Sequence, residues 1–270
     1  MIQSLDTAPL SMRNLLQRVA ISFALVLGVV FWSFQQPAYA QTTSPPQPAA
    51  YLAAVEDAKV AEPSEIYRGL TAINASNKNL VWKDDPSAVS KKRLAVVTWI
   101  AYKDYSRYLP GQMVTFDPNR YTWVTVLPDL KNFCRANPKP ANLTLRLEQL
   151  MGLPANAGKT HFVQFWVDPN DLFRPSPDPE ISDSESSLGY PTLPTPEQKK
   201  WLDKNHKEWI ENLKASSYGQ TGKMGYPWTR LGYTYDWGNP ATEVGLSEFV
   251  LTGGSTVQVD KIEDTAVYCK

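Results

Sequence analysis

The order of apolar and polar residues along the chain predicts more strands than helices. Residues 94–102 read LAVVTWIAY, apolar at both alternating sets of positions, which is typical of a central strand covered on both faces. Residues 121–126 are rich in β-branched and aromatic side chains and predict a second strand. Further strands are predicted at residues 79–82, 161–167, 231–237, 247–252, 255–260 and 265–269, the last as an edge strand, with Gly253 and Gly254 as a hairpin turn.

Two segments carry the signals of an amphipathic helix. The first starts after Asn142, a capping residue, repeats leucines at helical spacing and stops at Gly152. The second starts at Thr195, with Pro196 at the first helical position and Gln198 completing a capping box. Because strands outnumber helices and do not alternate with them regularly, we predict an α+β fold with a mostly antiparallel sheet, two or three helices and long loops. The apolar face of the second helix is predicted to hold Leu202, His206, Trp209 and Leu213.

The first forty residues have the layout of a secretory signal peptide. Arginines precede an apolar stretch at 19–34, and Ala38 and Ala40 occupy the small-residue positions of a cleavage site. We therefore predict cleavage between Ala40 and Gln41. The alternative is a retained membrane anchor, although the 16 residues of the apolar stretch fall short of the roughly 20 that a spanning helix usually needs.

The segment after the leader, residues 41–50, is polar and proline-rich and has nothing to bury. The predicted division is a signal peptide at 1–40, a flexible polar linker at 41–60 and a single globular domain at 61–270. Within the domain, residues 174–196 are dense in proline, serine and acidic side chains. A connection this long is usually a binding loop, a lid or a disordered segment.

The charge balance bears on the class of partner. Without the leader, the chain keeps 25 basic and 26 acidic residues, a net charge of −1. Proteins that bind nucleic acid normally carry a basic excess, because neutralising phosphates supplies much of their affinity. We therefore expect no nucleic-acid partner. We also expect no membrane span once the leader, which holds the long apolar stretch, is removed.

Cys134 and Cys269 are the two cysteines of the chain. In an oxidising compartment a pair of thiols tends to become a disulfide, so we predict that these two are joined. The alternative is two unrelated buried thiols.

An aromatic-rich segment at residues 225–238 is the candidate binding surface. On a strand, Tyr233, Tyr235 and Trp237 would share one face. Rings that also carry hydroxyl or indole donors can stack on a sugar or another flat ligand. The alternative is that the rings are core residues packed against the helix at 202–213. The predicted binding residues are Tyr226, Trp228, Arg230, Tyr233, Tyr235 and Trp237.

Hydrolysis of a glycan would require two carboxyl groups across a cleft, one protonated and one ionised. Asp236 and Glu248 are the candidates, since they lie in or near the aromatic segment, but their spacing does not pair them with a second acid. His161 and His206 are far apart, and the chain has no H-x-x-x-H or C-x-x-C motif. We therefore predict no metal site and no cofactor, and we expect His206 to be a partly buried, hydrogen-bonded side chain.

Three segments, RLGYTYDWG at 230–238, GLSEFVL at 245–251 and LFRPSPDPEI at 172–181, resemble parts of exported bacterial proteins without a known activity, and the leader resembles cyanobacterial ones. The resemblance implies no activity and no functional residue. We expect a non-enzymatic protein of the periplasm, the medium or the thylakoid lumen that binds glycan or envelope material through residues 219–237 and 174–196. A hydrolase of the same class of ligand is the alternative.

Overall fold

The computed structural model describes residues 47–101, 108–137, 140–192, 195–219 and 224–270. The predicted cleavage site between Ala40 and Gln41 lies outside these ranges. Within them, no helix combines the length and the apolar character that crossing a membrane requires.

Most strands of the described residues belong to one sheet. They are β1 Trp82–Asp84, β2 Lys92–Ile100, β3 Met113–Thr115, β4 Thr122–Val126, β5 His161–Val167, β6 Leu172–Phe173, β9 Phe249–Leu251 and β10 Thr256–Asp264. Their order is β3-β10-β5-β2-β4-β9-β6, and β1 pairs with β2 beside this path. All these pairings are antiparallel, so the predicted α+β fold with a mostly antiparallel sheet is confirmed. A separate antiparallel pair consists of β7 Tyr233–Tyr235 and β8 Val244–Ser247.

Both faces of the central strands are covered, as the unbroken apolar run in β2 predicted. One face, with Val96 and Phe165, packs against loop residues. The other face, with Val97 and Phe162, packs against short helices. These helices are α2 Asp129–Ala136, α3 Leu143–Leu150 and α6 Thr265–Tyr268.

The predicted disulfide is present. Cys134 on α2 is bonded to Cys269, which follows α6, with an S–S distance of 2.06 Å. The bond joins two helices that flank the same face of the sheet, so it ties the C-terminal end of the chain to the core.

The signals at Asn142 and Gly152 are confirmed. The Asn142 side chain accepts a hydrogen bond from the Leu145 N–H at 3.0 Å and caps α3. Gly152 has a φ of +64°, the left-handed conformation that ends a helix and favours glycine. The second helix comprises α4 Pro196–Trp201, a π-helical segment Leu202–His206 and α5 Lys207–Ser217. Its inward face buries Leu202 and His206, as predicted, together with Ile210, whereas the predicted Trp209 and Leu213 are half-buried.

Two predictions near the C-terminus were wrong. Gly253 and Gly254 form a turn but not a hairpin, because β9 pairs with β4 and β6 while β10 pairs with β3 and β5. A Cβ on Gly253 would collide with the Pro118 carbonyl oxygen, so this glycine permits close packing of two loops. The predicted edge strand at 265–269 is instead helix α6, because the Asp264 side chain caps it by accepting from the Ala266 N–H at 2.8 Å.

The structure also differs from the predicted flexible linker at 41–60. Helix α1 Ala49–Asp57 belongs to the compact unit that begins at Gln47. Tyr51, Ala54 and Val55 recur at helical spacing and are buried, which fixes this helix on the domain.

Candidate functional site

Two of the predicted binding rings belong to the core of the domain. Tyr233 is fully buried, and its hydroxyl donates to Glu243 Oε1 at 2.6 Å. Trp237 meets Tyr51 edge to face at 5.6 Å between ring centroids, and its indole N–H donates to the Leu153 carbonyl oxygen at 2.9 Å. Trp237 therefore packs on α1, whereas Tyr233 packs in a separate cluster, and both offer little surface to a ligand. Both are core residues, but the clusters they join contain no residue of the helix at 202–213.

Two of the predicted charged residues are also engaged within the fold. Asp236 is buried, and its carboxylate oxygens accept from the two terminal nitrogens of Arg146 at 2.8 and 2.5 Å. The Arg230 guanidinium donates to the carbonyl oxygens of Ala58 and Lys59 at the end of α1. Asp236 therefore forms a structural ion pair, and Arg230 satisfies carbonyl groups that the helix end leaves free.

The other three rings, Tyr226, Trp228 and Tyr235, line a cleft of about 460 Å³. Its lining includes the end of β2, most of β4, the residues that follow α3 and residues 226–228. A volume of this size lies within the range of sites for small molecules. Among the described residues, the aromatic side chains of the cleft are Trp99, Tyr108, Tyr121, Trp123, Tyr226, Trp228 and Tyr235.

The rings of the cleft differ in how freely a ligand could reach them. Tyr226 is 49 % exposed and Trp123 is 37 % exposed, so each presents ring surface to solvent. Trp228 is buried and held in place, since its indole N–H donates to the Pro175 carbonyl oxygen at 2.9 Å. Tyr235 is half-buried, and its hydroxyl donates to the Asp57 carboxylate at 2.9 Å. The cleft thus combines two accessible rings with fixed ones.

Glu248 is the second proposed catalytic residue, and it lines the same cleft. It lies between β8 and β9, where its backbone N–H donates to the Gly232 carbonyl oxygen at 3.0 Å. Its side chain is buried, and burial raises the pKa of the carboxyl group to about 8, against a smaller lowering by a hydrogen bond with the Trp123 side chain. At neutral pH the group is therefore a protonated acid, able to donate a hydrogen bond.

Two buried oxygen atoms in the wall of the cleft have no hydrogen-bond partner within the described part of the chain. They are Glu248 Oε1 and Thr122 Oγ1. Most buried polar atoms in native proteins have a partner, so each exception needs a reason. A ligand that supplies the missing partner is one such reason.

The described lining does not contain the pair of carboxyl groups that glycan hydrolysis requires. Glu248 is the one acidic residue in it, whereas Arg120 and Lys159 are basic. Asp236, the other proposed acid, is absent from this lining and is paired with Arg146.

A separate acidic cluster comprises Asp57, Glu65 and Glu243, whose ligand-type oxygen atoms lie within 4.8 Å of one another. The hydroxyls of Tyr233 and Tyr235 donate to two of these carboxylates. Burial raises the pKa of Glu65 and of Glu243. The donated hydrogen bonds give the cluster a role in fixing the two tyrosines, and exposed acidic groups are common without an ion.

The long loop after β6, predicted as a binding loop or lid, is anchored by a buried arginine. The fully buried Arg174 guanidinium donates to the carbonyl oxygens of Glu180 and Asp183 at 2.5 and 2.8 Å, and to the Asp183 carboxylate at 3.0 Å. The described part of the loop is therefore packed on the domain.

His206 is buried and hydrogen-bonded, as the sequence predicted. Its Nε2 atom lies 2.8 Å from the Ser176 carbonyl oxygen, and its ring stacks on Trp201 at 4.7 Å between centroids. Burial lowers the pKa of His206 to about 4, so the ring is neutral near pH 7. This histidine links the helix to the long loop and lies outside the described lining of the cleft.

Several residues of the cleft were not identified from the sequence. Trp99, Thr122 and Trp123 lie on predicted strands and were interpreted only as sheet residues. The exposed fraction of Trp123 is what marks it as part of a site, and the sequence pattern does not show it.

The chain matches no family model, and no curated protein or solved structure is significantly similar to it.

Proposed function

We propose that this chain is an exported binding protein whose cleft takes a small, uncharged ligand of the glycan type. The observation that carries the proposal is the combination, in one cleft of about 460 Å³, of accessible rings with buried polar atoms that have no partner among the described residues. Sugars present apolar ring faces that stack on aromatic side chains, and hydroxyl groups that form hydrogen bonds. Trp123 and Tyr226 would supply the stacking surface, and Glu248 and Thr122 the polar contacts.

Export is part of the proposal. It is supported by the leader-like pattern of residues 1–40, by the predicted cleavage between Ala40 and Gln41, and by the disulfide, because disulfides persist mainly in oxidising compartments. The ligand would then be glycan or envelope material in the periplasm, the medium or the thylakoid lumen. The resemblance to exported bacterial proteins agrees with this location.

A hydrolase is the second candidate, because the raised pKa of Glu248 suits a general acid. Binding is favoured over hydrolysis because the described lining offers Glu248 no second carboxyl group to act as nucleophile or base. Incubation of the purified protein with each bound glycan, followed by chromatography, separates the two functions, since release of shorter sugars would establish the hydrolase.

The proposed binding is tested with the mature chain, residues 41–270, on a glycan array, followed by titration calorimetry of the glycans that bind. Loss of one stacking ring in Tyr226→Ala or Trp123→Ala should weaken binding by at least about fivefold, because such ring contacts contribute on the order of 1 kcal/mol beyond the buried area. Tyr67→Ala is the matched control, since Tyr67 is similarly exposed, at 42 %, and lies outside the described lining. Failure of the wild-type protein to bind any glycan, or equal binding by all variants, would overturn the proposal.

A further inference from the structure

On the basis of the proposed function, we propose that Glu248 determines the specificity of the cleft by donating a hydrogen bond from its carboxyl group to an acceptor atom on a neutral ligand. Such a donor selects uncharged molecules with an exposed carbonyl or hydroxyl oxygen over organic cations, which aromatic sites can also bind.

The position of Glu248 is fixed by its neighbours. Its backbone is hydrogen-bonded to Gly232 at 3.0 Å, and the residue is 6 % exposed while lining the cleft. The Trp123 side chain lowers the pKa of the carboxyl group against the larger effect of burial, and Oε1 is left without a partner among the described residues. Leaving a buried polar atom unpaired is unfavourable, so a ligand atom that pairs with it contributes directly to affinity.

The charge state of Glu248 decides which ligand atom can pair with it. Burial raises the pKa of this carboxyl group, and the Trp123 side chain lowers it by less. No basic side chain of the described residues contributes to the pKa, so none compensates a negative charge on Glu248. A carboxylate in such a place would be buried and uncompensated, so the acid form is favoured. The acid form has one O–H donor, which needs an acceptor on the ligand.

A cleft of aromatic rings with a carboxyl group is also the usual setting for a bound ammonium group. Two observations disfavour that ligand here. Arg120 lines the cleft and would repel a second cation. A cation would also require Glu248 to ionise within apolar surroundings. A neutral ligand adds no positive charge to the cleft and does not require Glu248 to ionise.

The described lining of the cleft holds no carboxyl group other than that of Glu248 and no histidine. Burial raises the pKa of Tyr235, and it raises the pKa of Tyr218, at the end of α5, to about 12. We therefore assign a pH dependence between pH 6 and pH 9 to Glu248. The other titratable groups around it are Arg120, Lys159, Tyr108, Tyr121, Tyr218, Tyr226 and Tyr235.

The test measures binding of three probes to the mature protein by titration calorimetry at pH 6, 7, 8 and 9. The probes are N,N′-diacetylchitobiose and cellobiose, which are neutral, and tetramethylammonium, which is a cation. If the O–H group of Glu248 is required, the affinity for a neutral probe should be constant below pH 7 and fall by about tenfold per pH unit above pH 8. Tetramethylammonium should not bind.

Two variants separate the role of the proton from a loss of folding. Glu248→Gln keeps a donor that does not titrate, so it should bind the neutral probe with an affinity that is flat from pH 6 to pH 9. Thr122→Val removes the other unpaired oxygen and should weaken binding equally at every pH. Near-ultraviolet circular dichroism at each pH reports whether a variant keeps its tertiary structure.

The outcomes distinguish this inference from the proposed function. Wild-type binding that depends on Tyr226 but not on pH would overturn the role of Glu248 and leave the glycan site intact. Tetramethylammonium binding that strengthens with pH and disappears in Glu248→Gln would show a cation site and overturn the inference. Absence of glycan binding on the array would overturn the proposed function itself.

Discussion

Replacement of Glu248 by glutamine should change how the stability of the protein depends on pH. In the folded protein, burial raises the pKa of this carboxyl group from about 4.5 to about 8. The folded state therefore keeps a proton between these pH values that the unfolded state releases. The stabilising contribution is present in full below pH 4.5 and is lost as the pH rises through 8.

The magnitude follows from the difference between the two pKa values of Glu248. Each unit corresponds to about 1.36 kcal/mol, so ionisation of this one group lowers the free energy of unfolding by about 5 kcal/mol over the full range. Between pH 5 and pH 9 the loss is about 4 kcal/mol. Since small domains are stable by only about 5 to 15 kcal/mol, the effect is large.

The assay is urea unfolding of the wild-type protein and of Glu248→Gln at each pH unit from 5 to 9. The amide group of the introduced glutamine would have N–H donors without acceptors, which lowers the free energy of unfolding by about 1 to 3 kcal/mol at every pH. A comparison of the two proteins at a single pH is therefore not decisive. The free energy of unfolding of the wild type minus that of Glu248→Gln should decrease by about 4 kcal/mol between pH 5 and pH 9. The exposed substitution Glu208→Gln should track the wild type. Parallel curves for the wild type and Glu248→Gln would refute a protonated, buried Glu248.

Three further substitutions probe the supports of the fold. Asp236→Asn should lower the free energy of unfolding by about 3 kcal/mol in urea, because it leaves the Arg146 guanidinium facing a neutral group; a loss below about 1 kcal/mol would contradict this. Cys134→Ser combined with Cys269→Ser should lower the free energy of unfolding by up to about 5 kcal/mol, because the disulfide joins residues that are 135 positions apart. An unchanged melting temperature after reduction of the wild-type disulfide would contradict this contribution. Arg174→Met should make the long loop sensitive to limited proteolysis, and unchanged digestion would show that the buried guanidinium does not hold it.

Several elements were predictable from the sequence because their causes are local. The unbroken apolar run of β2 follows from the burial of both faces of a central strand. The cap at Asn142 and the stop at Gly152 act within a few residues of their own helix. The disulfide was predictable from the number of cysteines and the expected compartment.

Pairing between distant strands could not be predicted in this way. The turn at Gly253 and Gly254 has the chemistry of a hairpin, but β9 and β10 join different neighbours in the sheet. Likewise, Tyr51 and Trp237 are far apart in the chain, and their contact turns a predicted binding ring into a packing residue. A local pattern carries no information about which distant segment arrives to cover it.

The sequence by itself determined that the domain is α+β, that its cysteines pair and that aromatic side chains concentrate near residues 225–238. The tertiary structure alone decided which of those rings reach solvent and that Glu248 lies beside Thr122 and Trp123 in a cleft. The physical reason is that exposure and the pKa of a carboxyl group depend on how much water and charge surround it. Those surroundings come from strands more than a hundred residues apart, so they exist only once the chain has folded.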